Sequence, residues 1–198
     1  MLLNNEYYLA FRSKNVEENK NILVKAFKDI REEEDNQKKK NLKTIDYKGA
    51  TIIIRKNDLT QEMTQAIVNP ANEDLNHAGG CAKAIADKAG DKLDQEWKEY
   101  KRNNGNLSTG SAMFTSAGGS LCWDKVIHTV GPRYNKNLPD NSLAEAQLKM
   151  CANSIMEIVK KENIKSVSIP AVSTGIFGFP VNKCAFIMGN TIKSYIDS

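Results

Sequence analysis

Two short apolar runs that break off into loops of Asn, Ser and Gly constrain this chain more than anything else in it. "AIVNPANEDLNHAGG" (66–80) leaves Ala-Ile-Val through two asparagines. "SIPAVSTGIFGFP" (168–180) leaves its apolar run through Ser-Thr-Gly-Ile-Phe-Gly. A run this short between turn residues reads as a buried strand rather than a helix. Each is followed by a stretch with apolar residues at helical spacing, "CAKAIADKAG" and "VNKCAFIMGNTIKSYI". Buried strand, polar loop and amphipathic helix form the unit of a sheet covered on both faces, and such sheets present ligand loops at the carboxyl ends of their strands.

The rest of the chain extends this pattern. "EYYLAF" reads as a strand, and "VEENKNILVKAFKDI" as a helix. "LKTIDY", a Lys48-Gly49 turn and "ATIIIRK" read as a hairpin. "AIVN" is a short buried strand, the helix of "CAKAIADKAG" closes at Gly90, and "DKLDQEWKEYKRNNG" is a second helix. "SAMFTSAG" and "DKVIHTVGP" are strands, "SLAEAQLKMCANSIMEIVKKEN" is a long amphipathic helix and "SVSIPAVS" a further strand. The alternation predicts a three-layer α/β/α domain with a mixed sheet. The one composition shift is "REEEDNQKKKN" (31–41), charged and without an apolar residue, which reads as a solvated connection.

Composition narrows the function classes. A chain of 198 residues suits a single domain. No apolar run reaches the ~18 residues of a membrane span. "MLLNNEYYLAF" has no basic region followed by an apolar segment, so an intracellular compartment, cytoplasmic or nuclear, is expected. The net charge of +4 favours an anionic ligand but is weak ground for nucleic acid. Four cysteines, none in a C-x-x-C pair, and two histidines offer no metal spacing, so no metal is expected.

There is no G-x-G-x-x-G after a strand and no P-loop motif. What remains are two glycine-containing loops. Gly79 and Gly80 open a helix, where free N–H groups and the dipole favour an anion. Gly175 and Gly178 would let a second backbone segment approach. Two such loops could clamp a diphosphate; they could equally be ordinary turns and caps. Asn69, beside Pro70, suits a buttress, and Asn72, farther out, a ligand contact. His128, inside an apolar strand, reads as a satisfied core residue. His77, alone in its loop, is a candidate by chemistry only.

Four segments together resemble the macrodomain family: "NDLT" (57–60), "AIVNPANEDLNHAGG", "VIHTVGP" (126–132) and "SIPAVSTGIFGFP", in family order from about Leu42 onward. The "NEDLNH" run followed by small residues is similar to the first macrodomain of PARP-class ADP-ribosyltransferases and to coronavirus macrodomains. The resemblance implies an ADP-ribose ligand and no cofactor. It places Asp58 on the adenine amino group with the Leu59 backbone beside it, and Asn72 on the distal ribose. Gly79, Gly80 and Cys81 would line the first phosphate loop. Ser173, Thr174, Gly175, Ile176 and Phe177 would form the second, with Phe177 against the distal ribose and His77 near it. Asn72 and His77 are then the candidate catalytic residues.

Three residues depart from the family pattern. Asn57 replaces the usual Gly before the Asp, Ala78 interrupts a glycine triplet, and Ala82 stands where many mono-ADP-ribosyl hydrolases carry an aspartate. A further departure is topological. Family members end in one more strand and helix, which here have their counterpart in residues 1–34. The chain therefore reads as a single, circularly permuted macrodomain: strand-helix 1–34, charged join 35–41 and main body 42–198; the alternative is a shortened macrodomain with an unrelated N-terminal extension. Strand "EYYLAF" is expected to pair inside the main sheet, the helix after it to pack on the sheet face through Leu23, Phe27 and Ile30, and Phe11 to fall at the adenine end. The implied activity is removal of mono-ADP-ribose from acidic side chains by a monomer whose partner is a mono-ADP-ribosylated protein. The alternative is a reader that binds ADP-ribose without chemistry; a nucleic-acid module is a weaker third.

Overall fold

The computed structural model describes residues 5–10, 42–74, 79–118 and 123–198. The helix expected after the first strand, the charged join, Phe11, His77 and Ala78 lie outside the described residues. In chain order the elements are β1 (Asn5–Ala10), β2 (Leu42–Tyr47), β3 (Ala50–Arg55), a 3-10 turn (Leu59–Gln61), β4 (Ala66–Ala71), α1 (Gly80–Ala89) and α2 (Asp91–Asn104). There follow β5 (Ala112–Ser116), β6 (Lys125–Val130), α3 (Ser142–Lys161), β7 (Ser166–Pro170) and α4 (Val181–Asp197). The seven strands form one sheet in the order β2-β3-β1-β7-β4-β6-β5. The two outer pairs are antiparallel and the other neighbours parallel.

Side-chain alternation sends each strand's residues to two different cores. Ile52, Ile54, Ala66, Val68, Ile127, Val167 and Ile169 meet α3 and α4 on one face. Ile67 and Val126 meet Leu59, Ile85, Ala89 and Leu93 on the other, where α1 and α2 lie. The helices are built for this. Leu148, Cys151, Ala152, Ile155, Met156 and Val159 form one buried stripe along α3, and Ile85, Ala89, Leu93 and Trp97 repeat every fourth residue through α1 and α2. Truncating one such position, Leu148→Ala, would cost about 2–5 kcal/mol. The layers are those expected: helices, mixed sheet, helices.

One expectation needs correction. β4 does not stop at Asn69 but runs through Pro70 to Ala71, in register with β6 from Ala66↔Lys125 to Ala71↔Val130. Its pairing with β7 covers only Ala66 and Ile67, so by Pro70 the strand has one ladder neighbour, where a residue without an N–H is tolerated. The expected pairing of β1 within the main sheet is found. The strand lies inside the sheet, parallel to β3 (Asn5↔Ala50) and to β7 (Glu6↔Ser166). A parallel strand with a neighbour on each side leaves no open ladder, and the edges fall to β2 and β5.

Candidate functional site

Because β3, β1, β7, β4 and β6 run parallel, their carboxyl ends share one edge of the sheet. The loops leaving that edge carry nearly every residue singled out above. In spatial order they bring Asp58 after β3, residues 171–180 after β7, Asn72 and the start of α1 after β4, and Gly131 to Tyr134 after β6.

The loop after β7 is the most constrained. Thr174 Oγ1 donates to the Ala171 carbonyl at 2.8 Å, Gly178 N–H to Gly175 at 3.0 Å and Phe179 N–H to Ser173 at 2.9 Å. Ser173 has φ 65°, a left-handed conformation that costs a side-chain-bearing residue about 1–2 kcal/mol. Its Oγ is buried with no hydrogen-bond partner among the described residues. Strain of this kind persists only where the surroundings impose it. Here they do: Gly131 presses against Ser173, and any Cβ on Gly131 would sit on Ser173 Oγ and 2.6 Å from Val172 Cγ1. The loop is thereby held so that the N–H groups of Gly175, Ile176 and Phe177 donate to no acceptor among the described residues. Three successive amides left open in this way are of the kind that suits an anion.

Facing the same edge is the start of α1. Gly80 has φ 61°, where glycine is at ease, and the first-turn amides and positive helix end of Gly79, Gly80 and Cys81 lie at the strand exit. Thus the two glycine-containing loops open at the same edge of the sheet. Ile176 is 89% exposed at the loop tip. The Phe177 ring is half-buried under the Arg133 guanidinium, 4.3 Å from its centroid. Tyr134 N–H donates to the Phe177 carbonyl at 2.8 Å, and its ring meets Phe179 edge-on at 5.0 Å. Arg133 was not foreseen; its only signal was a cation directly after "VGP".

Asn69 is fully buried, as is His128. Its Nδ2 lies 3.0 Å from His128 Nδ1, and Thr115 Oγ1 lies 2.9 Å from His128 Nε2. Asn69 is therefore the buttress and His128 the satisfied core histidine. Three residues on, Asn72 emerges half-buried at the site edge. At the other end Asp58 caps the 3-10 turn, its Oδ1 accepting from Thr60 N–H and Oγ1, each at 2.9 Å. The Leu59 side chain belongs to the core beside Ile67 and Trp123, so only its backbone can face a ligand. Burial pushes the Cys151 and Cys184 thiols up, which marks them as inert core residues rather than nucleophiles. No group of acids, cysteines and histidines among the described residues could hold a metal. No helix among them is long and apolar enough to cross a membrane.

Residues 68–188 match the Macro domain family model. The chain belongs to the macrodomain family. Its relatives include a Thermotoga maritima protein, 40% identical over 78% of this chain, and mouse protein mono-ADP-ribosyltransferase PARP9, 37% identical over 74%. The chain spans only 25% and 17% of their lengths. It matches 82% of Pantoea vagans O-acetyl-ADP-ribose deacetylase 1, at 38% identity over 73% of this chain. Among solved structures, the Oceanobacillus iheyensis macrodomain with ADP superposes with a TM-score of 0.72 at 34% identity, covering 78% of this chain and 81% of that one.

Proposed function

We propose that this macrodomain binds ADP-ribose along the shared strand edge and hydrolyses mono-ADP-ribose from modified side chains, acidic linkages foremost. The observation that carries the reading is the strained loop after β7, which holds three amides open beside the start of α1. Such a pair of loops suits a diphosphate that must also leave, since amides neutralise less than lysines would. Asp58 would accept from the adenine amino group with the Leu59 backbone beside it, and Phe11 would lie at that end. Asn72 and Phe177 would orient the distal ribose, with His77 near it. Gly79, Gly80 and Cys81 would hold one phosphate; Ser173 to Phe177 would hold the other.

The bond to break joins the distal ribose C1″ to an acyl oxygen. With Ala82 in place of an aspartate, no side chain at that position can act as base. A substrate phosphate oxygen would orient the attacking water and take its proton, and the loop amides would hold the charge. The Pantoea relative is named for cleaving an acetyl ester of the same ligand, a close chemical cousin. Ala82 is also the observation favouring the second reading, a binder without turnover.

Incubation with proteins mono-ADP-ribosylated through acidic, serine or arginine linkages, following ADP-ribose release together with ADP-ribose affinity, separates the readings. Release from the acidic linkage supports the hydrolase. Binding without release supports the reader. Absence of binding refutes both.

The reading includes the chain's layout. We propose one permuted domain, 1–34 supplying the family's last strand and helix, 35–41 the join, and 42–198 the body, acting as an intracellular monomer without cofactor. The position of β1 between β3 and β7 supports it, as does the fifth of each chain left outside the match to the Oceanobacillus structure. A gene rearranged to encode residues 1–34 after residue 198 should yield a folded, ADP-ribose-binding protein; an insoluble product would count against the permutation.

A further inference from the structure

A carboxylate inside a protein is costly unless its charge is held. Glu62 is 2% exposed, at the base of the loop that carries Asp58. The Arg55 guanidinium lies 2.7 Å from its Oε2, and Asn57 Nδ2 donates to its Oε1 at 2.7 Å. Its own carbonyl accepts the Trp123 indole N–H at 2.8 Å, so backbone and side chain are both fixed. Asn57 carries the restraint outward: its Oδ1 accepts from Asp58 N–H at 2.9 Å. A run of hydrogen bonds thus leads from the buried Glu62, paired with a half-buried Arg55, to the backbone N–H of Asp58, whose carboxylate is held on its own side by Thr60 N–H and Oγ1. The residue before Asp58 departs from the family pattern at this very link, since a glycine there could make neither side-chain bond.

We infer that Asn57 and Glu62 are positioning residues that set base selectivity, by holding the Asp58 carboxylate where it can tell an amino group from a carbonyl. The inference rests on the reading of Asp58 as the adenine contact. Adenine offers a donor at its six-position, and hypoxanthine a carbonyl oxygen that a carboxylate repels. A fixed carboxylate cannot avoid that repulsion, whereas a loose one swings into water and discriminates poorly.

The test is the affinity ratio for ADP-ribose over inosine diphosphate ribose, by calorimetry on the full chain, with melting temperatures recorded alongside. Asn57→Ala removes both bonds. Asn57→Ser keeps a hydroxyl for the Asp58 N–H but cannot reach Glu62, and Glu62→Gln disturbs the anchor without deleting it. Each should lower the ratio about tenfold, equivalent to about 1.4 kcal/mol. N57A combined with E62Q should go no lower than N57A, because both cut one path. A purely structural role would lower melting temperature and leave the ratio intact. Should Asp58→Ala collapse the ratio while N57A, N57S and E62Q preserve it, the inference is overturned and the adenine contact stands. Should D58A preserve the ratio, the adenine contact falls and the inference with it. If the wild-type chain binds neither nucleotide, the proposed function itself fails.

Discussion

Gly131→Ala adds a single methyl group at the point where the loops after β6 and β7 touch. The new Cβ would meet Val172 Cγ1 at 2.6 Å and Ser173 Cβ at 3.3 Å, and would overlap Ser173 Oγ. Carbon atoms rest at about 3.5–4.0 Å, so Val172 and Ser173 must together retreat by about 1 Å. Val172 is fully buried and Ser173 is 8% exposed, so neither can simply turn into solvent. Overpacking of this kind costs about 1–3 kcal/mol, and at this chain length about 2 kcal/mol lowers the melting temperature by about 4–8 °C. The displaced residues begin the loop of open amides, so ADP-ribose affinity should fall about tenfold as well, another 1.4 kcal/mol. Adding Ser173→Gly should restore part of both losses, because it removes the overlapping hydroxyl and relieves the left-handed strain. Thermal melts and calorimetry on wild type, G131A and the double variant decide the matter. A G131A protein that melts within 1 °C of wild type and binds equally well would refute the claim that this contact holds the loop.

Other outcomes are expected elsewhere. Asn72→Ala should lower turnover more than affinity, because the distal ribose supplies orientation while most binding contacts lie elsewhere; single-turnover release against calorimetry checks the split. Asn69→Ala leaves buried His128 short of a partner and should cost about 1–3 kcal/mol in urea denaturation. Lys193, Lys48 and Tyr47 hold the Asp197 carboxyl below its ordinary range, so its folded pKa lies below its unfolded one. The stability this confers is full above the ordinary value of 3.8 and is lost as pH falls below it, so the melting-temperature lead of wild type over Asp197→Asn should shrink from pH 5 to pH 2. Deleting residues 1–35 removes β1 and opens the ladders of β3 and β7, and light scattering should report aggregation.

The elements legible in the sequence were those written in local chemistry. Lys48 and Gly49, with φ 48° and 82°, form the two-residue turn that joins β2 to β3, and such turns announce themselves by residue type. The α3 stripe is a helical period, visible without any partner. Asn69 and His128 could be assigned to the core because each sits in an apolar run. What stayed hidden depends on residues meeting across the fold. Nothing near Asn57 says that its amide will find Glu62, or that Glu62 will be buried against Arg55. The strain at Ser173 follows from Gly131, on a different strand exit. "EYYLAF" by itself specifies a strand and not its neighbours; its place inside the sheet was legible only through the family resemblance, which leaves one strand and helix to be supplied. Pro70 misled because proline argues against a strand interior, but only where both ladders are in use.

The strand order divides into two three-stranded halves, β2-β3-β1 and β4-β6-β5, with β7 between them. Each half is assembled from segments made before Ser166 leaves the ribosome. Each must therefore wait with one open edge, β1 on one side and β4 on the other. Inserting a strand that needs parallel partners on both flanks is a high-contact-order step, the slow kind. The loop that follows β7 directly is the one that holds the open amides. Closure of the sheet and completion of that loop are consequently one kinetic event, and a nascent chain has no means of capturing its ligand until the last gap in its sheet is filled.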